Sequence, residues 1–414
     1  MWVSNDGGSM KVNGPETDRK GGGAVPVEEY LAQGFEGYLE AFRRMVCINS
    51  WTENPAGVNE LGEYTAGLFA GLDFSAEYVQ SENPSCGRHL VLTKKGTSAS
   101  SIACVSHLDT VYSPDEEAER DFRWEIEGDR VYGPGTNDIK GGTVVMYMVI
   151  DSMRAMFPEA FNDVNWVLLF DATEETESDD FGNLCRARIP ADTGACLVFE
   201  AGNVIDGSRA LVTSRKGRAE FIIEARGREA HAGTDHQRGI NAAVCLAVAV
   251  LGAASITDYE KNLTVNVGKI HGGTALNRVP ESSVAEVEMR AFSPEEFEKG
   301  AVSMMALEGE HIKVQKIRVI PPWPENAAST RLFRTWERAG QEAGIRVVAE
   351  KRGGLSDGNF LWDHVPVLDG LGPVGAHSHC SGATSTEERE YALLSSMVPS
   401  AMLSVRGILC LLSD

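Results

Sequence analysis

Two hydrophobic periods alternate along the chain. Apolar residues recur at three- and four-residue steps from Val27 to Ile48 (Tyr30, Leu31, Phe35, Leu39, Phe42, Met45, Val46), which predicts an opening helix. Gly57 to Leu72 reads as a second helix. His89 to Thr93 and Ile102 to Ser106 read as strands separated by a small polar loop. The charged stretch Asp115 to Arg123 reads as a solvated loop, and Gly141 to Phe157 as a strongly apolar helix. Its two leading glycines would let that helix approach a sheet closely. Asn165 to Asp171 is a continuous apolar run, of the kind buried on both faces in a strand, and Ala195 to Phe199 is another short one. Strands alternating with helices predict a three-layer α/β/α domain.

Near Leu211 the pattern changes. Ala219 to Ala225, Thr264 to Ile270 and Ser283 to Arg290 read as amphipathic strands, with His311 to Ile320 a fourth. Helices at Gly239 to Ala254 and Pro294 to Leu307 fall between and after them. The order β-α-β-β-α-β is that of a split-βαβ, ferredoxin-like α+β unit. The expected division is a disordered leader over 1–26, a catalytic domain over 27–210, an inserted lid over 211–321 and a return to the first domain over 322–414. The breaker Pro321-Pro322-Trp323-Pro324 closes the insertion. In the last part, Ser329 to Ala343 reads as a helix, Arg346 to Ala349 and Val365 to Leu368 as strands, Gly353 to Asn359 as a turn-rich loop, and Glu388 to Leu412 as a long final helix.

The chain has 414 residues, enough for two or three domains, with 43% hydrophobic and 24% charged residues, the balance of an ordinary globular protein. The formal charge of −22 makes nucleic acid and anionic membranes poor partners. Eight cysteines are scattered without C-x-x-C spacing, which argues for reduced thiols and a cytoplasmic location. The first residues, Met1 to Gly23, carry no apolar segment of the signal-peptide kind. The apolar run Ala242 to Ala254 is too short to span a bilayer and reads as a buried helix.

The candidate chemistry lies at the predicted strand ends. His107 and Asp109 stand two apart after an apolar run, so in an extended chain they face the same side. Asp138 follows the Gly133-Pro134-Gly135 turn and precedes a helix. Glu174 and Glu175 follow the strand ending at Asp171, and Glu200 follows the one ending at Phe199. Open α/β sheets place their sites just past the carboxyl ends of strands. Imidazole and carboxylate groups converging there suit a divalent cation such as Zn²⁺. Taken singly, each residue reads as well as a structural histidine or a solvated acid; Glu177, Asp179 and Asp180, for example, extend the acidic pair.

Taken in order, His107-x-Asp109, Gly135-x-x-Asp138-x-Lys-Gly-Gly, Glu174-Glu175, Glu200, His231-Ala-Gly, Gly353-Gly-x-Ser-Asp and a late histidine after Gly375 resemble the M20 family of dizinc metallopeptidases. That family includes glutamate carboxypeptidase, acetylornithine deacetylase, succinyl-diaminopimelate desuccinylase and aminoacylase. The resemblance implies two Zn²⁺ ions, with Co²⁺ or Mn²⁺ as possible substitutes, and a ligand set of His107, Asp138, Glu175, Glu200 and His379. Asp138 would bridge; His107 and Glu200 would hold one ion, Glu175 and His379 the other. Two such cations are balanced by about four negative charges from Asp138, Glu175, Glu200 and a hydroxide, as a partly buried site requires. Asp109 would orient the His107 ring from behind, and Glu174 would be the general base. His377 is the alternative to His379. The loop after it departs from the commonest family pattern, since Ser381 to Thr386 intervene before Glu387.

The resemblance also places His231 in the partner subunit's site as an oxyanion stabiliser, in a homodimer formed through the insertion. It sets Asn277 and Arg290 against a substrate carboxylate, and the Gly353 to Asn359 loop against the specificity pocket. The expected activity is hydrolysis of an amide or peptide bond next to a free carboxylate, as in a glutamate carboxypeptidase. The alternatives are an N-acyl amino acid deacylase and a catalytically silent, metal-stabilised scaffold. The substrate would be a small peptide or N-acyl amino acid. No nucleotide-binding glycine motif follows a strand.

Overall fold

The computed structural model describes residues 26–176, 179–382 and 388–414. The expected leader lies almost wholly outside them, as do Glu177 and the segment 383–387 of the loop before Arg389. The chain forms two compact units. The first runs to Val212 and resumes at Ala327–Glu350 and Leu361–Asp414; the second is Thr213–Asn326 with Lys351–Phe360. Both edges of the insertion thus differ from 211–321, and the return over 322–414 yields Lys351–Phe360 to the second unit. Hydrogen bonds explain the transfer. Arg215 Nη1 donates to the carbonyls of Gly354 (3.1 Å) and Leu355 (2.8 Å), and Asn359 Nδ2 donates to those of Lys216 (3.1 Å) and Pro321 (2.9 Å).

In the first unit a six-stranded sheet runs in the order Ser75–Gln80, Arg88–Lys94, Asn165–Asp171, Ser101–His107, Ala195–Val198, Val367–Leu368. The last four are parallel, and the first two join antiparallel. Ser101–His107 is buried along its whole length, as its apolar run requires. Its parallel neighbour Asn165–Asp171 pairs His107 with Asp171, which brings two candidate segments out at one end of the sheet. Helix Lys140–Met156 is buried through most of its length. A Cβ on Gly142 would lie 1.9 Å from the Phe199 carbonyl oxygen, so only glycine lets the helix start against the end of the Ala195–Val198 strand. A second, four-stranded sheet runs Gly375–Ser381, Arg389–Leu393, Arg130–Tyr132, Glu125–Glu127.

The second unit is a four-stranded antiparallel sheet, ordered Thr264–Gly272, Ser282–Ala291, Gly217–Arg226, Ile312–Ile320, with helices Ala242–Ala254 and Pro294–Met305. This is the ferredoxin-like order, and alternate residues of the central Gly217–Arg226 strand are buried in its core.

Four expected elements differ. The opening helix is two, Val27–Gln33 and Phe35–Val46, meeting at Gly34, a poor helix former. The charged segment after Ser113 is a helix, Pro114–Arg120, whose Ser113 Oγ accepts from the Glu116 amide at 3.1 Å; proline at its start and three acids in its first turn favour that end. The last helix begins at Leu394, because Arg389–Leu393 is a strand between two partners. Helix Ala242–Ala254 buries only one face: Val244, Val248 and Leu251 are 60%, 67% and 71% exposed. Helix Leu394–Ser413 is long and apolar enough to cross a membrane, but Met397, Ala401, Leu403, Val405 and Ile408 place it in the core of the first unit.

Candidate metal centre

Each element of the centre delivers one or two side chains at its end. His107 closes its strand with a fully buried ring. Its Nδ1 lies 3.0 Å from the Asp109 main-chain carbonyl and 3.4 Å from Asp109 Oδ1. A carbonyl can only accept, so Nδ1 carries the hydrogen, and in the neutral ring Nε2 keeps a lone pair. That Nε2 faces Asp138 Oδ1 at 3.1 Å and Glu200 Oε1 at 3.8 Å. The other Asp138 oxygen, Oδ2, lies 3.4 Å from His379 Nε2, which is 3.0 Å from Glu175 Oε2. Two donor groups result, His107–Asp138–Glu200 and Asp138–Glu175–His379, each with its ligand atoms within 4.8 Å of one another. One carboxylate, Asp138, belongs to both.

His379 rather than His377 enters these groups. Both residues have left-handed φ, 66° and 61°, in a bulge of Gly375–Ser381 where the pairing register shifts between Ala376 and Ser381. The His377 ring instead stands 6.0 Å from Tyr391.

Asp109 holds more than the imidazole. Its Oδ1 accepts from the Glu174 amide at 3.1 Å, and its Oδ2 from the Glu175 amide at 3.2 Å and the Thr52 hydroxyl at 2.8 Å. Behind this loop His89 is buried between two acids, with Nδ1 3.1 Å from Asp171 Oδ1 and Nε2 3.1 Å from Asp180 Oδ2. The Ala172 amide also lies 3.1 Å from His89 Nδ1.

The electrostatics ask for a cation. Burial pushes Glu174 well above the usual carboxyl range, with the charges of Glu200, Glu175 and Asp138 adding to it and His107 opposing. Burial and Asp138 raise Glu175 to about 7. For Asp138 burial is outweighed by His107 and His379, which hold it below the carboxylate range. Asp138 and Glu175 in turn push His379 up to about 11. Glu175 Oε1 is buried with no hydrogen-bond partner among the described residues. Carboxylate oxygens and imidazole nitrogens crowded in this way fit two divalent cations of the Zn²⁺, Co²⁺ or Mn²⁺ kind.

Two further residues escaped the sequence reading. Glu390, fully buried, accepts from the Asn137 and Asp138 amides and the Tyr112 hydroxyl. Lys140 is also buried; its Nζ donates to the Ile48 carbonyl at 3.0 Å, and burial lowers it to about 8. Lys140 was visible in the motif, whereas Glu390 carried no local signal.

His231, Asn277 and Arg290 lie in the second unit, outside both donor groups. His231 Nδ1 accepts from the amides of Gly233 (3.1 Å) and Thr234 (3.2 Å), which leaves the hydrogen of the neutral ring on Nε2. The Asn277 carbonyl accepts from the Ala232 amide at 2.9 Å. The Arg290 fork already meets Glu288 through Nε (3.2 Å) and Nη2 (3.1 Å), and its Nη1 donates to Gly353 O at 3.3 Å. Lys216, unmarked in the sequence, lies near enough for burial and the Arg290 charge to lower its pKa.

The profile of peptidase family M20/M25/M40 matches residues 103–402. Carboxypeptidase G2 of Pseudomonas sp. (strain RS-16) is 26% identical over 380 residues, covering 90% of this chain and 88% of that protein. An acetylornithine deacetylase of Salmonella arizonae is 26% identical over 262 residues, 58% of this chain and 64% of that one. In fold, the chain is similar to a solved tripeptidase from Staphylococcus aureus, with a TM-score of 0.73 at 19% identity over 92% of this chain and 99% of the other.

Proposed function

The chain belongs to peptidase family M20/M25/M40, a family of metal-dependent hydrolases, and on that premise we propose that it is a two-zinc exopeptidase of the glutamate carboxypeptidase kind. The observation that carries the reading is Asp138, whose two oxygens are divided between His107 and His379. Asp138 would be shared by both cations, His107 and Glu200 would complete one set, and Glu175 and His379 the other. When bound, the cations supply Lewis-acid polarisation of the scissile carbonyl and of a water molecule.

The chain's own groups do the rest. Glu174, next to Glu175 and held by its amide to Asp109, takes a proton from the attacking water and returns it to the amine nitrogen as the C–N bond breaks. Asp109 orients His107 and the Glu174–Glu175 loop together. His231 offers Nε2–H to the developing oxyanion of the site in a partner subunit. Homodimerisation through the second unit is supported by the exposed Val244, Val248 and Leu251. Lys216, Arg290 and Asn277 would receive the free carboxylate, with Arg290 released from Glu288. A cytoplasmic location is supported by eight free cysteines.

The similarity to a deacetylase favours a second reading, an N-acyl amino acid deacylase using the same groups. A silent scaffold has no use for a base beside Glu175. The test is a panel of dipeptides and N-acyl amino acids ending in Glu, Asp, Lys or Ala, assayed before chelation, after it, and after Zn²⁺ or Co²⁺ is returned. Turnover should vanish and come back, fastest for peptides ending in Glu. Preference for N-acetyl substrates selects the deacylase, and indifference to chelation defeats the two-metal scheme.

A further inference from the structure

We infer that Glu390 is a positioning residue for the shared carboxylate Asp138, an inference that rests on the two-metal reading above. Glu390 lies on the strand Arg389–Leu393, whose neighbours carry the two segments it would align. On one side Arg130–Tyr132 leads into the turn before Asp138; on the other Gly375–Ser381 holds the bulge with His379. Oε1 of Glu390 accepts two consecutive amides, Asn137 at 2.7 Å and Asp138 at 3.0 Å. Oε2 accepts the Tyr112 hydroxyl at 2.6 Å. All three partners are donors, so the position demands an acceptor at the end of a side chain of this length.

Two successive amides aimed at one oxygen fix the peptide planes on either side of the Asn137 α-carbon and the amide of Asp138, and hence the direction in which the Asp138 side chain leaves the backbone. The same segment is tied to the histidine bulge, since Asn137 Nδ2 donates to Ser378 Oγ at 2.9 Å, between His377 and His379. Gly375 closes on it too, since a Cβ there would lie 2.3 Å from Asn137 Oδ1. Glu390 therefore sets Asp138 in register with His379 without touching substrate.

The decisive variants are Glu390→Asp, a methylene too short to reach Tyr112 and both amides together, and Glu390→Gln, which keeps the Oε1 acceptor and can donate to the Tyr112 hydroxyl oxygen. Zn²⁺ affinity of the metal-free protein is read by competition with a chromophoric chelator, and ligand geometry from the visible spectrum of the Co²⁺-loaded protein. Glu390→Asp should bind Zn²⁺ about 10- to 100-fold more weakly, as loss of an outer partner of a ligand does, with an altered Co²⁺ spectrum and a lower kcat. Glu390→Gln should restore most of the affinity. An Asp variant like the wild type, or one that outperforms Gln, overturns the positioning role, the latter because charge rather than reach would then matter. If Glu390→Asp does not fold, Tyr112→Phe decides, with a severalfold loss of Zn²⁺ affinity expected and an unchanged affinity overturning the role. Failure of the wild type to take up two ions per chain overturns the two-metal reading and this inference with it; two ions taken up alike by wild type and variants overturns the inference alone.

Discussion

Asp109 Oδ1 accepts the amide of Glu174 at 3.1 Å, from the end of one strand to the loop after its parallel neighbour. The same carboxylate group holds the Glu175 amide and stands behind His107. One side chain therefore couples the orientation of His107, a proposed metal ligand, to that of the loop carrying Glu174, the proposed base. Asp109→Asn would place an amide N–H₂ against a backbone donor. Its kcat/KM should fall about 10- to 100-fold with the fold intact, as for other groups behind metal ligands. Steady-state kinetics with metal analysis check this; a variant with native kcat/KM would leave Asp109 without that role.

Glu174→Ala removes the proposed proton acceptor and leaves both donor groups complete. The variant should retain two metal ions per chain and lose on the order of 10³-fold or more in kcat, about 4 kcal/mol of transition-state stabilisation. Metal content measured beside turnover separates this from a folding defect, and near-normal turnover would refute the assignment.

Because His231 is proposed to act in the partner subunit's site, mixing should reveal it. His231→Ala and Asp138→Ala are each expected to be nearly inactive alone. Heterodimers formed from the two should recover part of the activity, since one site per dimer regains Asp138 and a partner histidine. No recovery at any ratio would show that His231 does not work across subunits.

His89 makes stability depend on pH. Burial lowers the pKa of its ring, but Asp171 and Asp180 outweigh burial and raise it to about 9. Two carboxylates favour the doubly protonated ring, although protonating Nδ1 gives up the hydrogen bond that it accepts from the Ala172 amide. A group whose folded pKa is raised contributes fully below its unfolded value and loses that contribution as pH rises through the folded one. The protein should thus lose on the order of 3 kcal/mol between about pH 6.5 and pH 9 from this group, the reciprocal effect on Asp180 being the same interaction counted once. Denaturant unfolding from pH 6 to 10 should show that slope in the wild type and not in His89→Gln; parallel profiles would mean that the folded ring is neutral.

Much of the layout was legible because its signals are local. Apolar runs of strand length, each ending in or soon followed by a histidine or an acid, mark out Ser101–His107, Asn165–Asp171 and Ala195–Val198, and a strand's end fixes where the next side chains can go. The glycine pair Gly141-Gly142 announced a close approach of the helix in the same way, and Gly142 makes it against Phe199. Helix Pro114–Arg120 could have been found from Ser113-Pro114-Asp115-Glu116, a helix-start pattern outweighed here by the density of charge.

What composition and spacing determined, then, was the order of most elements, the shift to a ferredoxin-like second unit, and His107 and the acids available for a cation at strand ends; the family resemblance added the late histidine. Only tertiary structure decided which of His377 and His379 joins Asp138, that Arg389–Leu393 is a strand, that Glu390 holds the Asp138 backbone, and that helix Ala242–Ala254 leaves Val244 outside. The physical reason is that hydrophobic periodicity reports that a face wants covering, whereas the segment that covers it, or that supplies the missing hydrogen-bond acceptor, lies hundreds of residues away and is chosen by packing.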